Sequence, residues 1–313
     1  MKPFDLITMG RVGVDLYPEQ SGVSLAEVTS FSKFLGGTAT NVAVACARYG
    51  HSAAVITKVG DDGFGPYVRS ALRGFGVDDR YVGTDPDLRT PVVFIEIHPP
   101  DHFPILFYRE PKAPDMNLRL EELDLEAIGA ARILWTTGTG LSDEPSRKAT
   151  LGALDHRAKS GHTIHDLDYR PVFWSGPDEA GEWQRRALGR VTIAIGNLEE
   201  CAVAVGEGTP EEMAERIRSL GVEVVIVKKG PHGVSAFTPE EVVLAPSIPV
   251  EVVNGLGAGD AFGGAICHGL LSEWGWSETI RFANAAGAYV AGQLACADAM
   301  PGEDQVRELM KSG

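Results

Sequence analysis

Basic residues are scarce in this 313-residue sequence, and they lie scattered along it. Its 28 Lys and Arg residues stand against 43 Asp and Glu residues, so the formal net charge is −15 at pH 7. Nucleic-acid-binding proteins displace counterions with a clustered basic surface, and juxtamembrane basic clusters serve anionic membranes in a similar way. We therefore expect neither a nucleic acid nor a membrane as a partner.

Long apolar runs and closely spaced cysteines are also missing. No apolar run approaches the roughly 18 residues of a membrane-spanning helix, and Met1 to Gly10 lacks the pattern of a secretory signal peptide. The four cysteines, Cys46, Cys201, Cys267 and Cys296, form no CxxC pair. Such spacing is typical of buried free thiols, so we expect a cytoplasmic protein.

The residues that are present predict an α/β fold. Short apolar runs such as Ala53–Val59 and Ile133–Thr136 alternate with Ala-rich stretches such as Thr38–Tyr49, which is the pattern of a βαβ succession. We expect a mostly parallel sheet with helices on both faces, and a tail that is helical from about Ala258 to Met310 apart from Leu294–Gly302. No linker is visible, so residues 1–313 are expected to form a single domain.

Two segments, about 12–34 and 91–108, depart from this alternation. The second reads as a strand, a Pro-Pro turn and another strand, VVFIEIHPPDHFPILFY. Two such runs around a tight turn are typical of a hairpin. Together the two segments predict a small antiparallel accessory sheet.

A glycine-rich motif, NGLGAGD, ends at Asp260 and directly precedes an Ala- and Gly-rich helical stretch. Glycine has no Cβ to obstruct an anion, and a helix N-terminus presents free N–H groups to it. Gly257, Ala258 and Gly259 would cradle a phosphoryl group, and Asp260 would accept the proton of an attacking hydroxyl. The alternative is an Asp that caps the helix after a flexible loop. The motif alone leaves both interpretations open.

A second motif, GGTATN, begins at Gly36 and again precedes a helical stretch. Gly36 and Gly37 would let the backbone approach a polar ligand, and Asn41 offers both a donor and an acceptor. The alternative is an ordinary helix start capped by Thr38 or Thr40. Neither a P-loop nor a GxGxxG fingerprint occurs in the sequence, which excludes these two nucleotide-binding motifs.

These two motifs, at these positions in an α/β chain of this length, resemble the ribokinase-like (PfkB) family of small-molecule kinases. Asn197–Glu200 (NLEE) is similar to the NxxE element of the family, and Lys228-Lys229-Gly230 with Gly233 resembles its nucleotide-side strand and turn. The resemblance implies a ribokinase-like doubly wound α/β sheet with a small β lid built from segments 12–34 and 91–108. It also implies ATP and Mg²⁺ as cofactors.

The same resemblance assigns a set of residues to the nucleotide and its metal. They are Asn197, Glu200, Lys228, Gly230, Gly233, Gly255 and Asn284. Asn197 and Glu200 would act on Mg²⁺ indirectly, through water. Their spacing also fits a capping box, in which Asn197 begins a helix and Glu200 reaches back to it, and both interpretations can hold together.

Within the family, the chain most resembles the kinases of 5-dehydro-2-deoxygluconate, an acid intermediate of myo-inositol catabolism. The likeness lies in the stretches GRVGVDLYPEQ, FYREPKAPDMNL, DLDYRPVFW and ANAAGAYVAGQLACADAMP. The resemblance places Arg109 and Arg170 near the substrate carboxylate, and a guanidinium fork suits that group chemically. It also implies phosphorylation of the terminal hydroxyl to a 6-phosphate.

On the sugar side, the resemblance implies that Asp15 accepts hydrogen bonds from sugar hydroxyls, with Gly36, Gly37 and Asn41 beside it. A plain turn residue is the alternative for Asp15. A kinase of 2-keto-3-deoxygluconate, or another sugar kinase of the family, is the alternative activity. A catalytically inactive sugar-acid sensor is the alternative from another class. Because family members often dimerise through the lid, we also expect a homodimer.

Two positions depart from the pattern of the family. Asn254 and Gly255 stand where the general family motif DTxGAGD has Asp and Thr. The resemblance implies that this Asp helps to hold a monovalent cation in related sugar kinases, so we do not predict a requirement for K⁺ from this sequence. Asp168 stands where many relatives have Asn.

Overall fold

The computed structural model describes residues 2–312, in which strands and helices alternate along the chain. The strands are β1 (Leu6–Met9), β2 (Gly13–Pro18), β3 (Phe31–Gly36), β4 (Ala53–Gly60), β5 (Val77–Asp78), β6 (Val82–Asp85), β7 (Val92–Ile95), β8 (Ile105–Tyr108), β9 (Ile133–Thr137), β10 (His162–Asp166), β11 (Ile193–Asn197), β12 (Val224–Lys228), β13 (Val234–Phe237) and β14 (Val242–Ala245). The helices are α1 (Thr38–Arg48), α2 (Phe64–Gly74), α3 (Leu125–Ala130), α4 (Ser146–Arg157), α5 (Pro177–Leu188), α6 (Leu198–Val205), α7 (Pro210–Ser219), α8 (Ala258–Leu271), α9 (Trp276–Ala291) and α10 (Glu303–Ser312).

The main sheet has the strand order β14-β13-β12-β11-β10-β9-β1-β4-β5, and β6 pairs with β4. From β12 to β5 neighbouring strands are parallel, whereas β13 and β14 continue the sheet antiparallel. Strands β1 and β9 are buried along their whole length and carry mostly apolar residues, as expected for a parallel sheet covered on both faces. The predicted mostly parallel α/β fold is confirmed.

Helices cover both faces of this sheet. Buried side chains of α1, α2, α8, α9 and α10 pack against one face, around Trp135 and Phe282. Those of α3 to α7 pack against the other face, around Leu134 and Leu154. The chain therefore changes face after α2 and returns to the first face with α8, and the ends of several strands meet at one edge.

A second, four-stranded sheet has the order β3-β2-β7-β8. Its strands come from the two segments that break the βαβ alternation. β2 pairs antiparallel with β3 but parallel with β7, and β7 and β8 form the expected hairpin. Tyr17, Val93 and Ile95 pack on its inner face with Cys296. We call this the accessory sheet.

Some element bounds differ from the sequence-based expectation. The tail is broken not only near residue 300 but also between α8 and α9, where Glu273 has a positive φ of 57°. Helix α5 begins at Pro177, because proline suits the first helical position. None of the helices in residues 2–312 combines the length and the apolar character that crossing a membrane requires.

Candidate active site

The start of α8 is shaped for an anion. Gly257 has φ 81°, and no side chain caps the helix that follows. A Cβ at Gly257 would lie 2.7 Å from Cys296 Sγ, so glycine is required there for space as well as for backbone conformation. The first N–H groups of α8 are left without side-chain partners, which is the arrangement that binds phosphate at helix N-termini.

Asp260 lies in the first turn of α8 and does not cap it. Asn41 Nδ2 donates a hydrogen bond to Asp260 Oδ2 at 2.7 Å, so α1 and α8 are joined at this point. Burial raises the pKa of Asp260 to about 6, although the hydrogen bond from Asn41 opposes the shift. A carboxylate with this pKa is ionised near neutral pH and can still accept a proton during a reaction.

The GGTATN motif brings Asp15 to the same place. A Cβ on Gly36 would overlap the Asp15 carboxylate, and Gly37 has φ 102°. Neither threonine of the motif acts as a cap, since Thr40 Oγ1 donates to the carbonyls of Gly36 and Gly37 at 2.6 and 2.7 Å. The glycines thus admit the Asp15 side chain, and burial raises its pKa to about 7.

One cavity, with a volume of about 70 Å³, collects most of the residues expected on the sugar side. We call it the sugar cavity. The expected residues that line it are Asp15, Gly37, Asn41, Arg109, Arg170, Gly257 and Asp260. Strands β7 and β8 supply its apolar wall with Val93, Ile95, Ile105 and Phe107. Gly36 lies just behind it, against Asp15.

An arginine that the sequence analysis missed, Arg11, also lines the sugar cavity. It follows β1 directly, and its guanidinium is ion-paired with Asp168 at 3.2 Å. Arg170 contacts the same Asp168 carboxylate at 3.3 Å, and Arg109 is ion-paired with Asp115. The only feature of the sequence that could have indicated a role for Arg11 is its position as an isolated charged residue just after the apolar strand β1.

A second cavity, with a volume of about 570 Å³, adjoins the other side of the α8 N-terminus. We call it the nucleotide cavity. The residues expected on the nucleotide that line it are Lys228, Gly230, Gly233, Gly255 and Asn284, together with Ala258 and Gly259 of the cradle. Its wall is largely apolar and includes Ile248, Val250 and Phe262. Pro100 and Asp101, at the tip of the β7–β8 hairpin, also border it.

Lys228 connects this cavity to buried carboxylates. The Nζ of Lys228 lies 4.0 Å from Asp166 Oδ1. A Cβ on Gly259 would lie 3.4 Å from the same Nζ. Burial lowers the pKa of Lys228, but the carboxylates of Asp166 and Glu200 outweigh that effect and raise it overall. A fixed positive charge therefore lies beside the cradle. Asp166 was also missed in the sequence analysis.

Asn197 and Glu200 line neither cavity and form a complete capping box at the start of α6. Asn197 Oδ1 accepts from the Glu200 N–H at 2.9 Å, and Glu200 Oε2 accepts from the Asn197 N–H at 2.7 Å. The capping interpretation of this motif is therefore correct. Among residues 2–312 no donor lies within hydrogen-bond distance of Glu200 Oε1, which leaves that oxygen for another partner.

The profile of the pfkB family of carbohydrate kinases matches residues 4–302. The chain belongs to this family. It is 34% identical to the 5-dehydro-2-deoxygluconokinase of Photobacterium profundum and 30% identical to that of Bacillus subtilis, over 99% of this chain and 96% and 97% of theirs. As a pfkB carbohydrate kinase it transfers a phosphoryl group from ATP.

Solved structures show the same ribokinase-like fold. A PfkB protein from Polaromonas sp. JS666 superposes with a TM-score of 0.87 at 25% identity, over 97% of this chain and 99% of that one. A fructokinase double mutant from Vibrio cholerae O395, with fructose, ADP and potassium ion bound, superposes with a TM-score of 0.86 at 25% identity over 99% of both chains. The ribokinase-like fold of the pfkB kinase is confirmed.

Proposed function

We propose that this kinase phosphorylates the terminal hydroxyl of a sugar acid, 5-dehydro-2-deoxy-D-gluconate, to give its 6-phosphate. The observation that carries the proposal is the sugar cavity, which combines arginines at one side with Asp260 and the α8 cradle at another. Arginine suits a carboxylate, and a buried Asp beside an anion cradle suits phosphoryl transfer. Relatives at 30–34% identity bear the corresponding name.

In the proposed reaction, Asp260 accepts the proton of the terminal hydroxyl while that oxygen attacks the γ-phosphorus of ATP in line. The bond from the γ-phosphorus to the β–γ bridging oxygen breaks, and ADP leaves with the bonding electrons. N–H groups of Gly257, Ala258 and Gly259 stabilise the negative charge that grows on the transferring group. Lys228 adds a fixed positive charge beside them.

The sugar acid would occupy the sugar cavity and ATP the nucleotide cavity, on either side of the α8 N-terminus. Asp15 and Asn41 would bind sugar hydroxyls, with Gly36 and Gly37 giving them room, and Arg109 and Arg170 would bind the carboxylate. The nucleotide would extend along the residues that line the nucleotide cavity, which are Lys228, Gly230, Gly233, Gly255 and Asn284.

Mg²⁺ would be held through its water shell. Glu200 Oε1 has no donor among the described residues, and the buried Asp166 carboxylate contributes to the negative charge around Lys228. Mg²⁺ prefers oxygen ligands and retains several waters, which suits carboxylates that act at a distance, and Asn197 would hold Glu200 in place. When bound, the metal neutralises charge on the phosphates.

The accessory sheet would act as a lid and as a dimer interface. Its β8 strand exposes Leu106 and Tyr108, which are 46% and 61% accessible, on the face opposite the sugar cavity. Apolar residues on an exposed sheet face often mark a protein interface. We therefore propose a homodimer of single-domain subunits, located in the cytoplasm in keeping with four buried free cysteines. Light scattering that gives a monomer at micromolar concentration would contradict the dimer.

A coupled ADP-release assay with MgATP tests the proposed function. It compares 5-dehydro-2-deoxygluconate, 2-keto-3-deoxygluconate, ribose and fructose as acceptors, with the variant Asp260→Asn as the control. Preference for the first acceptor supports the proposal. Preference for the second assigns the same chemistry to another sugar acid, and binding without turnover identifies a sensor.

A further inference from the structure

Arg11 is held from several sides at the edge of the sugar cavity. Its Nε donates to Thr139 Oγ1 at 3.1 Å, and its Nη2 donates to Thr38 Oγ1 at 2.7 Å and to Asp168 Oδ2 at 3.2 Å. The side chain is 8% accessible. Such a set of contacts fixes the plane of a guanidinium and leaves it little rotational freedom.

Aromatic rings hold the same guanidinium on its faces. The Phe107 and Phe173 rings lie 5.9 and 5.8 Å from the guanidinium carbon of Arg11, and they contact each other edge to face. Phe107 belongs to β8 of the accessory sheet. The sheet and the body of the protein thus fix Arg11 together, by cation–π contacts that are strongest where water is excluded.

One nitrogen of the Arg11 guanidinium, Nη1, has no hydrogen-bond acceptor among the described residues, whereas Nε and Nη2 both have partners. Arg11 also lines the sugar cavity. In the described residues Nη1 is not one of the fully buried side-chain atoms without a partner, so it stays open to the cavity, where a ligand acceptor can take its hydrogen bond.

The charges around Arg11 specify what kind of acceptor fits. Arg11 and Arg170 share the carboxylate of Asp168, and Arg109 is ion-paired with Asp115. Three guanidinium groups are thus ion-paired with only two carboxylates. Asp15 and Asp260 also line the cavity and act on these arginines at longer range, but in the described part of the chain neither forms an ion pair with an arginine. Arg11 therefore keeps a charged donor from which a carboxylate of the ligand can accept.

We propose that Arg11 is a substrate-binding residue that donates from Nη1 to the carboxylate of a sugar acid, and that Asp168 is the residue that positions it. The inference rests on the proposed sugar-acid kinase activity and adds a third arginine to the two expected from the sequence. It also gives Asp168 a function as the counter-charge shared by Arg11 and Arg170.

Asp168 is built for that positioning role. It is 2% exposed, and it accepts from Thr139 Oγ1 at 2.8 Å in addition to Arg11. Burial raises the pKa of Asp168, but Arg11 and Arg170 outweigh this effect and lower it overall, so the group stays ionised. Its φ of 31° is unusual for a residue other than glycine, and such conformations persist where the surroundings fix them.

The test compares Arg11→Gln, which removes the charge, with Arg11→Lys, which keeps the charge but loses the fork. Arg147→Gln is the matched control, because Arg147 also stacks on an aromatic ring, Trp183 at 4.3 Å, and is ion-paired with Glu179 at 3.0 Å outside the site. Initial rates give KM for 5-dehydro-2-deoxygluconate, KM for ATP, and kcat.

We expect Arg11→Gln to raise KM for the sugar acid by about 10- to 100-fold, the range for a lost hydrogen bond to a charged group, and to leave KM for ATP unchanged. Arg11→Lys is expected to lie between Arg11→Gln and wild type, and Arg147→Gln to match wild type. D-gluconate should inhibit wild type more strongly than D-glucitol, which has an alcohol in place of the carboxylate, and Arg11→Gln should lose this preference. If Arg11→Gln does not fold, Arg11→Lys alone carries the test.

Asp168→Asn tests the positioning role. It should also raise KM for the sugar acid, and in the Arg11→Gln background it should add little, because both changes remove the same contact. Additive effects would overturn the positioning role. A wild-type KM in both Arg11 variants, with wild-type enzyme active on the sugar acid, overturns this inference alone. Wild-type enzyme that phosphorylates no sugar acid overturns the proposed function and this inference together.

Discussion

Two helices of this kinase, α6 and α8, begin with motifs that could either cap the helix or serve a function. The structure shows side-chain capping at α6 and none at α8. At α6, Asn197 and Glu200 satisfy each other's backbone N–H groups. At α8, no side chain accepts from the first turn, and Asp260 instead accepts from Asn41 at 2.7 Å. One helix start is closed by its own side chains, and the other is open.

The difference shows how a helix start is made available to a ligand. The capping box of α6 occupies the N–H groups of Asn197 and Glu200, so these two donors are no longer available to a ligand. A helix preceded by a glycine at φ 81° keeps its N–H groups free and its approach unobstructed. We therefore assign the transferring phosphoryl group to α8 and only an indirect, metal-related role to α6.

The change with the largest expected effect is Asp260→Asn at the open helix. Asparagine keeps the size and the contact with Asn41 but cannot accept a proton, so we expect kcat to fall by about 10²- to 10⁴-fold. Initial-rate kinetics measure this. Asp124→Asn is the control, because Asp124 caps α3 by accepting from the Ala127 N–H at 2.9 Å, and asparagine caps equally well. Unchanged turnover in Asp260→Asn would remove the proton-acceptor role.

The pH dependence of activity sharpens the same assignment. Because burial raises the pKa of Asp260 to about 6, its proton-accepting form is lost as the pH falls through 6, and kcat/KM should decline there. The raised pKa also means that the folded state binds this proton more tightly than the unfolded state does. The stabilisation of the folded protein by this proton on Asp260 is fully present below about pH 4, the approximate pKa of an Asp in the unfolded chain. It is lost as the pH rises through 6, the pKa in the folded protein.

Asp260→Asn should therefore raise Tm relative to wild type at pH 8 and show a smaller difference at pH 4. Thermal unfolding at the two pH values measures this. Equal differences at both values would show that Asp260 is not desolvated in the folded protein.

At the closed helix, Glu200→Ala and Glu200→Gln distinguish the metal role from the cap. Glutamine can complete a capping box, so only alanine should lower the free energy of unfolding, by about 1 kcal/mol. Both variants should raise the Mg²⁺ concentration needed for half-maximal activity. Glu212 is the matched control, since it forms the same capping box with Thr209 at the start of α7. Normal Mg²⁺ dependence in both Glu200 variants would leave α6 with the cap alone.

The smallest expected effect concerns K⁺. Asn254 is fully buried, and its Nδ2 donates to the Leu294 carbonyl at 2.7 Å while its Oδ1 accepts from the Leu256 N–H at 3.0 Å. An amide donor thus occupies the Leu294 carbonyl, so this oxygen is not free to bind a cation. We expect the same kcat in potassium and choline buffers of equal ionic strength. Stimulation by K⁺ would contradict this.

Local patterns predicted much of the fold and of the cradle. Apolar runs such as Ala53–Val59 identified the buried strands, and glycines before helical stretches identified the two helix starts, of α1 and α8, that border one cavity. Arg11 and Asp168 could not be paired in advance, because a contact across 157 residues of sequence leaves no local pattern. Nor does a sequence show whether a motif such as Asn197–Glu200 caps a helix, binds a ligand, or does both.

The β7–β8 hairpin borders both cavities, with Val93 and Phe107 on the sugar side and Asp101 at its tip on the nucleotide side. A wall shared by two ligands would couple their binding, because a sugar acid that contacts the hairpin also contacts the wall of the nucleotide cavity. We therefore expect the Kd for ATP to fall when a sugar acid is bound, and the rate of ATP hydrolysis without an acceptor to be low.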